Sequence, residues 1–131
     1  MRNAISALRQ LISNIMGTPR QIIEKWVEAF NSANIDLLES LYAANAINHQ
    51  MPNEPVIGKI AIGEMFRSEF SVAPEMHCIP IQIIEEGDWA VLEWKDPKGF
   101  RGCGFFEIRN GLIHTQRGYW DRLTFNKLYD L

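Results

Sequence analysis

Apolar residues along the chain follow two rhythms. Up to about residue 71 they recur every three or four positions, the spacing of one helix face. Ile5, Leu8, Ile12 and Ile15 predict a one-sided helix over 4–16, and Gly17 ends it. A second helix starts at Thr18-Pro19-Arg20-Gln21, where Thr18 caps, Pro19 takes the first helical position and Gln21 completes a capping box. Its buried face carries Ile23, Trp26, Val27 and Phe30. Asn34 caps a short third helix with Leu37, Leu38, Leu41 and Tyr42 inward. Residues 45–50 form a brief strand before the loop Met51-Pro52-Asn53-Glu54-Pro55. Gly58 opens a further helix over 59–71, with Ile62, Phe66 and Phe70 spaced by four. Gly63 costs that helix roughly 1 kcal/mol against alanine, which points to close approach of a neighbouring element.

From residue 76 the rhythm becomes alternation. Glu86-Gly87-Asp88, Asp96-Pro97-Lys98-Gly99 and Asn110-Gly111 are turn signals, the last a strong hairpin signal. They divide the region into strands at about 76–85, 88–96, 100–109 and 112–121, with a short helix from Leu123 to Tyr129. Consecutive hairpins make a four-stranded antiparallel meander. Helices first and a meander second is the order of an α+β fold, and the aromatic helices would fill the concave side of a sheet that twists and curls. Alternation puts Ala90, Leu92, Trp94 and Asp96 on one face and Trp89, Val91, Glu93 and Lys95 on the other, the mixed set suiting a convex face. In the last strand His114, Gln116, Gly118 and Trp120 oppose Thr115, Arg117, Tyr119 and Asp121, and either set fits the inward side.

Composition narrows the function classes. The chain has 131 residues, 47% hydrophobic and 22% charged, with a formal net charge of −3. That is a globular balance with no basic stripe, which argues against nucleic acid. No apolar run reaches the ~18 residues of a membrane span, and the polar interruptions within Met1–Met16 make a poor secretory signal. Cys78 and Cys103 lack metal or redox spacing, which fits two buried thiols in a reducing cytoplasm. His49, His77 and His114 are too dispersed for a metal site.

Leu41-Tyr42-Ala43-Ala44-Asn45-Ala46, Asn48-His49-Gln50-Met51-Pro52, Gly58 with its helix, and the closing Gly118-Tyr119-Trp120-Asp121 resemble the nuclear transport factor 2-like superfamily in its SnoaL-like branch. The resemblance covers 18–131 and leaves 1–17 as an extra amphipathic helix, a candidate lid on the pocket of its own or a partner subunit. It implies a cone-shaped, cystatin-like α+β barrel: a curved antiparallel sheet wrapped around helices, with an internal pocket. It also implies a homodimer through the sheets and no cofactor. Trp26, Phe30, Tyr42, Asn48, Gln50, Phe66, Phe70, Trp94 and Trp120 are the implied pocket lining.

Relatives include polyketide cyclases, ketosteroid isomerases and limonene epoxide hydrolases, and only the site can decide among such roles. Epoxide hydrolysis is disfavoured. Its Asp–Arg–Asp set falls on Asp96, Trp94 and Gly118, so two central groups are missing. Isomerase chemistry would have to use Tyr42 and Asp96, without a local motif. A cyclase-type acid–base group could be His49, Asp96 or Asp121. Each has a structural alternative: a loop histidine, a carboxylate shaping the Pro97 turn, and a cap on the last helix. Two functions stay open: binding of a small apolar molecule in the pocket, with or without isomerase, cyclase or lyase chemistry, and a non-catalytic protein-interaction module.

Overall fold

A computed structural model describes residues 3–131. Met1 and Arg2 of the 1–17 segment lie outside the described residues. The helices are α1 (Ala4–Met16), α2 (Pro19–Asn31), α3 (Ile35–Ser40), α4 (Lys59–Val72) and α5 (Arg122–Leu128). The strands are β1 (Tyr42–Gln50), β2 (Val56–Ile57), β3 (Ile79–Glu86), β4 (Trp89–Lys95), β5 (Arg101–Arg109) and β6 (Leu112–Tyr119).

The local signals act as expected. The Thr18 hydroxyl accepts from the Gln21 amide at 3.2 Å, and the Gln21 side chain accepts from the Thr18 amide at 2.9 Å. Asn34 caps α3 through the Leu37 amide at 3.1 Å. Asn110 and Gly111 both take positive φ, 53° and 73°, as a two-residue turn matched to strand twist requires. A Cβ on Gly63 would stand 2.5 Å from a carboxylate oxygen of Glu39, so α3 does approach α4 there.

The sheet is larger than the expected four strands. Six strands lie in the order β2-β1-β6-β5-β4-β3, and the curved sheet does not close. β1 begins at Tyr42 rather than 45, so Tyr42 is a strand residue and not the end of α3. It runs parallel to β6, with Asn48 beside Gln116 and Gln50 beside Gly118. This one parallel pair departs from a pure meander. The open edge at β3 carries Pro80 and a register shift between Pro80 and Gln82, two features that blunt strand addition.

A second irregularity decides which side of β6 faces inward. Glu107 pairs with Thr115 but Ile108 pairs with Ile113, so His114 is an extra, bulged residue. Ile113 and Gln116 are thereby both buried despite their odd spacing. On the concave side, α2 and α4 pack an aromatic cluster. Trp26 stacks on Phe30 at 5.1 Å and meets Phe66 and Phe106 edge-on at 6.2 and 5.5 Å. α1 leaves Ile5, Leu8, Leu11, Ile15 and Met16 exposed, and its last residue rests over the Gly111 turn.

Candidate ligand pocket

Between the concave sheet, the C-terminal half of α4 and α5 lies a cavity of about 300 Å³. Trp26, Phe30, Phe66, Leu92, Trp94, Phe106, Trp120 and Phe125 give its wall an aromatic and apolar character. Gly102, Gly104 and Gly118 leave room for these rings and for one amide. A Cβ at Gly102 would meet the Trp94 ring at 2.5 Å, and one at Gly118 would meet the Gln50 side-chain oxygen at 1.8 Å.

One wall is polar, and its hydrogen bonds run in a fixed sense. The Trp26 indole N–H donates to the Tyr42 hydroxyl at 2.9 Å, and Tyr42 donates to Gln116 Oε1. From the other end, the Trp120 indole N–H donates to Gln50 Oε1 at 2.8 Å. Gln50 Nε2 donates to Asn48 Oδ1 at 2.7 Å, and Asn48 Nδ2 donates to Gln116 Oε1 at 3.1 Å. An indole can only donate, so the two tryptophans set the orientation of every amide between them. Gln116 Oε1 takes both incoming bonds, which turns the Gln116 N–H groups to the cavity. Burial pushes the Tyr42 hydroxyl far above the usual tyrosine range, so Tyr42 stays a neutral donor.

The expected site residues divide. Trp26, Phe30, Gln50, Phe66, Trp94 and Trp120 line the cavity. Tyr42 and Asn48 stand behind the wall in the polar chain, and Phe70 backs Phe30 at 5.1 Å. Asp96 borders the cavity with both carboxylate oxygens engaged. Oδ1 accepts from the Lys98 and Phe100 amides at 2.9 and 2.8 Å, and Oδ2 accepts from the Tyr129 hydroxyl. Its geometry is that of a turn carboxylate that also anchors α5. His49 is beside Arg117 in the sheet, on the opposite face from Asn48 and Gln50, and is absent from the cavity wall. Asp121 is exposed and caps α5 through the Thr124 amide at 2.9 Å, and the bonds to Thr124 hold its carboxyl below the usual range. The structure therefore does not bring His49, Asp96 and Asp121 together. None of the described residues of 1–17 lines the cavity.

Asp96→Asn should cost about 1 kcal/mol in urea unfolding. The new amide keeps one oxygen for the two backbone N–H groups but leaves the Tyr129 hydroxyl without its acceptor. A catalytic Asp96 would instead lose function with stability unchanged.

Sequence reasoning missed Glu69. It lies in the last turn of α4, half-buried, lining the cavity. Among the described residues its carboxyl has no hydrogen-bond or ion-pair partner, and desolvation pushes it up to about 7. Its charge reaches the Tyr42 hydroxyl and contributes to raising it. The available signal was its spacing: Glu69 follows Ile62 by seven and Phe66 by three, which puts an acid on an apolar helix face. α5 was missed as a wall too, although Phe125 and Tyr129 border the cavity. Burial pushes the Cys78 thiol, also at the wall, up to about 12.

The sequence model of the SnoaL-like domain matches residues 23–115. The chain belongs to the SnoaL-like family. No curated protein matches its sequence. Among solved structures, this SnoaL-like chain is similar to TerC co-crystallised with polyporic acid, at 16% identity and a TM-score of 0.75, over 86% of this chain and 98% of TerC. It is similar to a SnoaL-like protein of unknown function from Burkholderia thailandensis, at 17% identity and 0.72, over 79% and 94%. It is also similar to a putative polyketide cyclase from Sinorhizobium meliloti, at 18% identity and 0.69, over 75% and 93%. At these identities the likeness is one of fold. Among the described residues no helix is long and apolar enough to cross a membrane.

Proposed function

We propose that this SnoaL-like protein binds a small, mainly apolar organic molecule in its internal cavity. The observation that carries the reading is an aromatic cavity with one wall of oriented amides, whose Gln116 N–H groups would face a ligand oxygen. A carbonyl suits this wall better than a hydrocarbon does. The TerC complex is in keeping with a flat, oxygenated ligand. Isomerase, cyclase or lyase chemistry through His49, Asp96 and Asp121 gains no support from their placement, so binding is the function we favour.

A thermal-shift screen against steroids, polyaromatic ketones, terpenes and their epoxides tests this. A ligand at 100 times its dissociation constant should add about 2.7 kcal/mol, several degrees for a domain of this size. Val72, exposed at the cavity wall, offers the control: Val72→Trp should abolish the shift and leave the unliganded Tm nearly unchanged. Shifts that survive in Val72→Trp would place the ligand elsewhere and sink the reading.

The outer sheet face favours an accompanying interaction role. The Arg117 guanidinium lies over Trp89 at 4.8 Å and Phe105 at 5.4 Å, beside exposed Tyr119. Such a cation–aromatic patch suits pairing of two copies through their sheets. Sedimentation equilibrium should then give twice the 15.1 kDa chain mass, and monomers at micromolar concentration would refute it. The free thiols of Cys78 and Cys103 are in keeping with a reducing, cytoplasmic setting.

A further inference from the structure

Glu69 is the one side-chain carboxylate at the cavity wall, among the described residues, that folding leaves without a counter-charge or a donor. Asp96, the other acid there, has its oxygens filled by two amides and a hydroxyl. Of the two basic groups at the wall, Arg122 donates to the Pro52 carbonyl and Asn53, and His77 makes no hydrogen bond or ion pair with Glu69. Glu69 projects from the last turn of α4, where the helix carbonyls also disfavour negative charge. Buried charges are ordinarily paired or neutralised by a proton, so a cation that enters the cavity would find the Glu69 carboxyl unengaged. Aromatic faces surround the site, with Trp26, Phe30 and Phe66 on the cavity wall, and such faces attract cations.

Resting on the cavity-binding reading, we propose that the ligand is a small organic amine with an apolar body, bound as its ammonium ion by the Glu69 carboxylate. The apolar body fills the aromatic cavity, and an oxygen on the same molecule can meet the Gln116 amide. The Gln116 end of the wall offers N–H groups, so the ammonium goes to the Glu69 end. A free Glu69 carboxyl that titrates near 7 is partly protonated at neutral pH. Capture of an ammonium ion then expels that proton to the buffer, and the ammonium keeps its own.

Calorimetry with 2-phenylethylamine, 2-phenylethanol and phenylacetate at pH 7 tests this, because the three share one shape and differ in charge. The amine should bind at least tenfold tighter than the alcohol, and the acid weakest. Titrations in buffers of different ionisation enthalpy should show net proton release as the amine binds. Glu69→Gln should bring the amine down to the alcohol's affinity and abolish proton release, with the alcohol unchanged within threefold. Equal affinities for amine and alcohol in the parent, or an amine preference that persists in Glu69→Gln, would overturn the amine assignment and leave the cavity reading standing. Absence of binding by all three would count against both.

Discussion

Glu69→Gln should make the protein more stable than the parent at pH 8 and leave the two equal near pH 4. Glu69 ionises near 4.5 in an unfolded chain and near 7 in the folded one. Between those values the native state holds a proton that the unfolded state has lost, so stability falls as pH rises from 4.5 to 7 and then levels. The stability is fully present below the unfolded value and gone above the folded one. Glutamine imitates the protonated acid and does not titrate. A shift of this size corresponds to about 3 kcal/mol at most, so urea unfolding at pH 8 should favour the variant by about 2–3 kcal/mol. Parallel pH profiles for parent and variant would mean that Glu69 is solvated and lacks the dry setting described above.

Gly118→Ala is expected to have the other large effect. Its Cβ would stand 1.8 Å from Gln50 Oε1 and 2.5 Å from Gln50 Cδ, inside any tolerable contact. Gln50 must then leave, and both its bonds go with it. The Trp120 indole loses its acceptor and Asn48 loses its donor. Overpacking and two broken partly buried bonds together cost about 2–4 kcal/mol, and the reoriented wall should lose the ligand-induced thermal shift. The control is a double-mutant cycle. Once Gln50→Ala has removed the obstructing amide, Gly118→Ala should cost less than about 1 kcal/mol. A full-sized cost in that background would put the strain in the β6 backbone.

What the sequence made legible was mostly local. A capping box, an Asn-Gly turn and the Asp96-Pro97-Lys98-Gly99 turn act within a few residues, so their outcome needs no knowledge of the fold. Alternation likewise told the two faces of β4 apart, and Ala90 and Leu92 are buried as one set. The start of β1 was hidden because Ala43-Ala44-Asn45-Ala46 has little strand propensity and pairs with a partner some seventy residues away. The inward side of β6 was hidden by the His114 bulge, which no period-two count registers. Within the site, the aromatic lining was legible as a helix stripe and the polar wall only as single residues. The placement of His49 away from the cavity wall was not legible, because a motif fixes position in sequence and does not say on which side of a strand a ring emerges. Glu69 went unnoticed because a lone acid on a helix usually means solvent, and its desolvation comes from a cavity wall assembled from distant parts of the chain.

The two indoles that terminate the polar wall fix the amides between them before anything enters the cavity. Each is a one-way valve for hydrogen bonding, and with one at either end the amides between them have no freedom to reverse. The orientation of Gln116 is therefore set at Trp26 and Trp120, on α2 and just after β6. Replacing a terminal indole would free the amides to reverse, and would also reshape the cavity, since both rings line it. Resistance to small perturbations and susceptibility to a remote change are here one property of one chain of bonds.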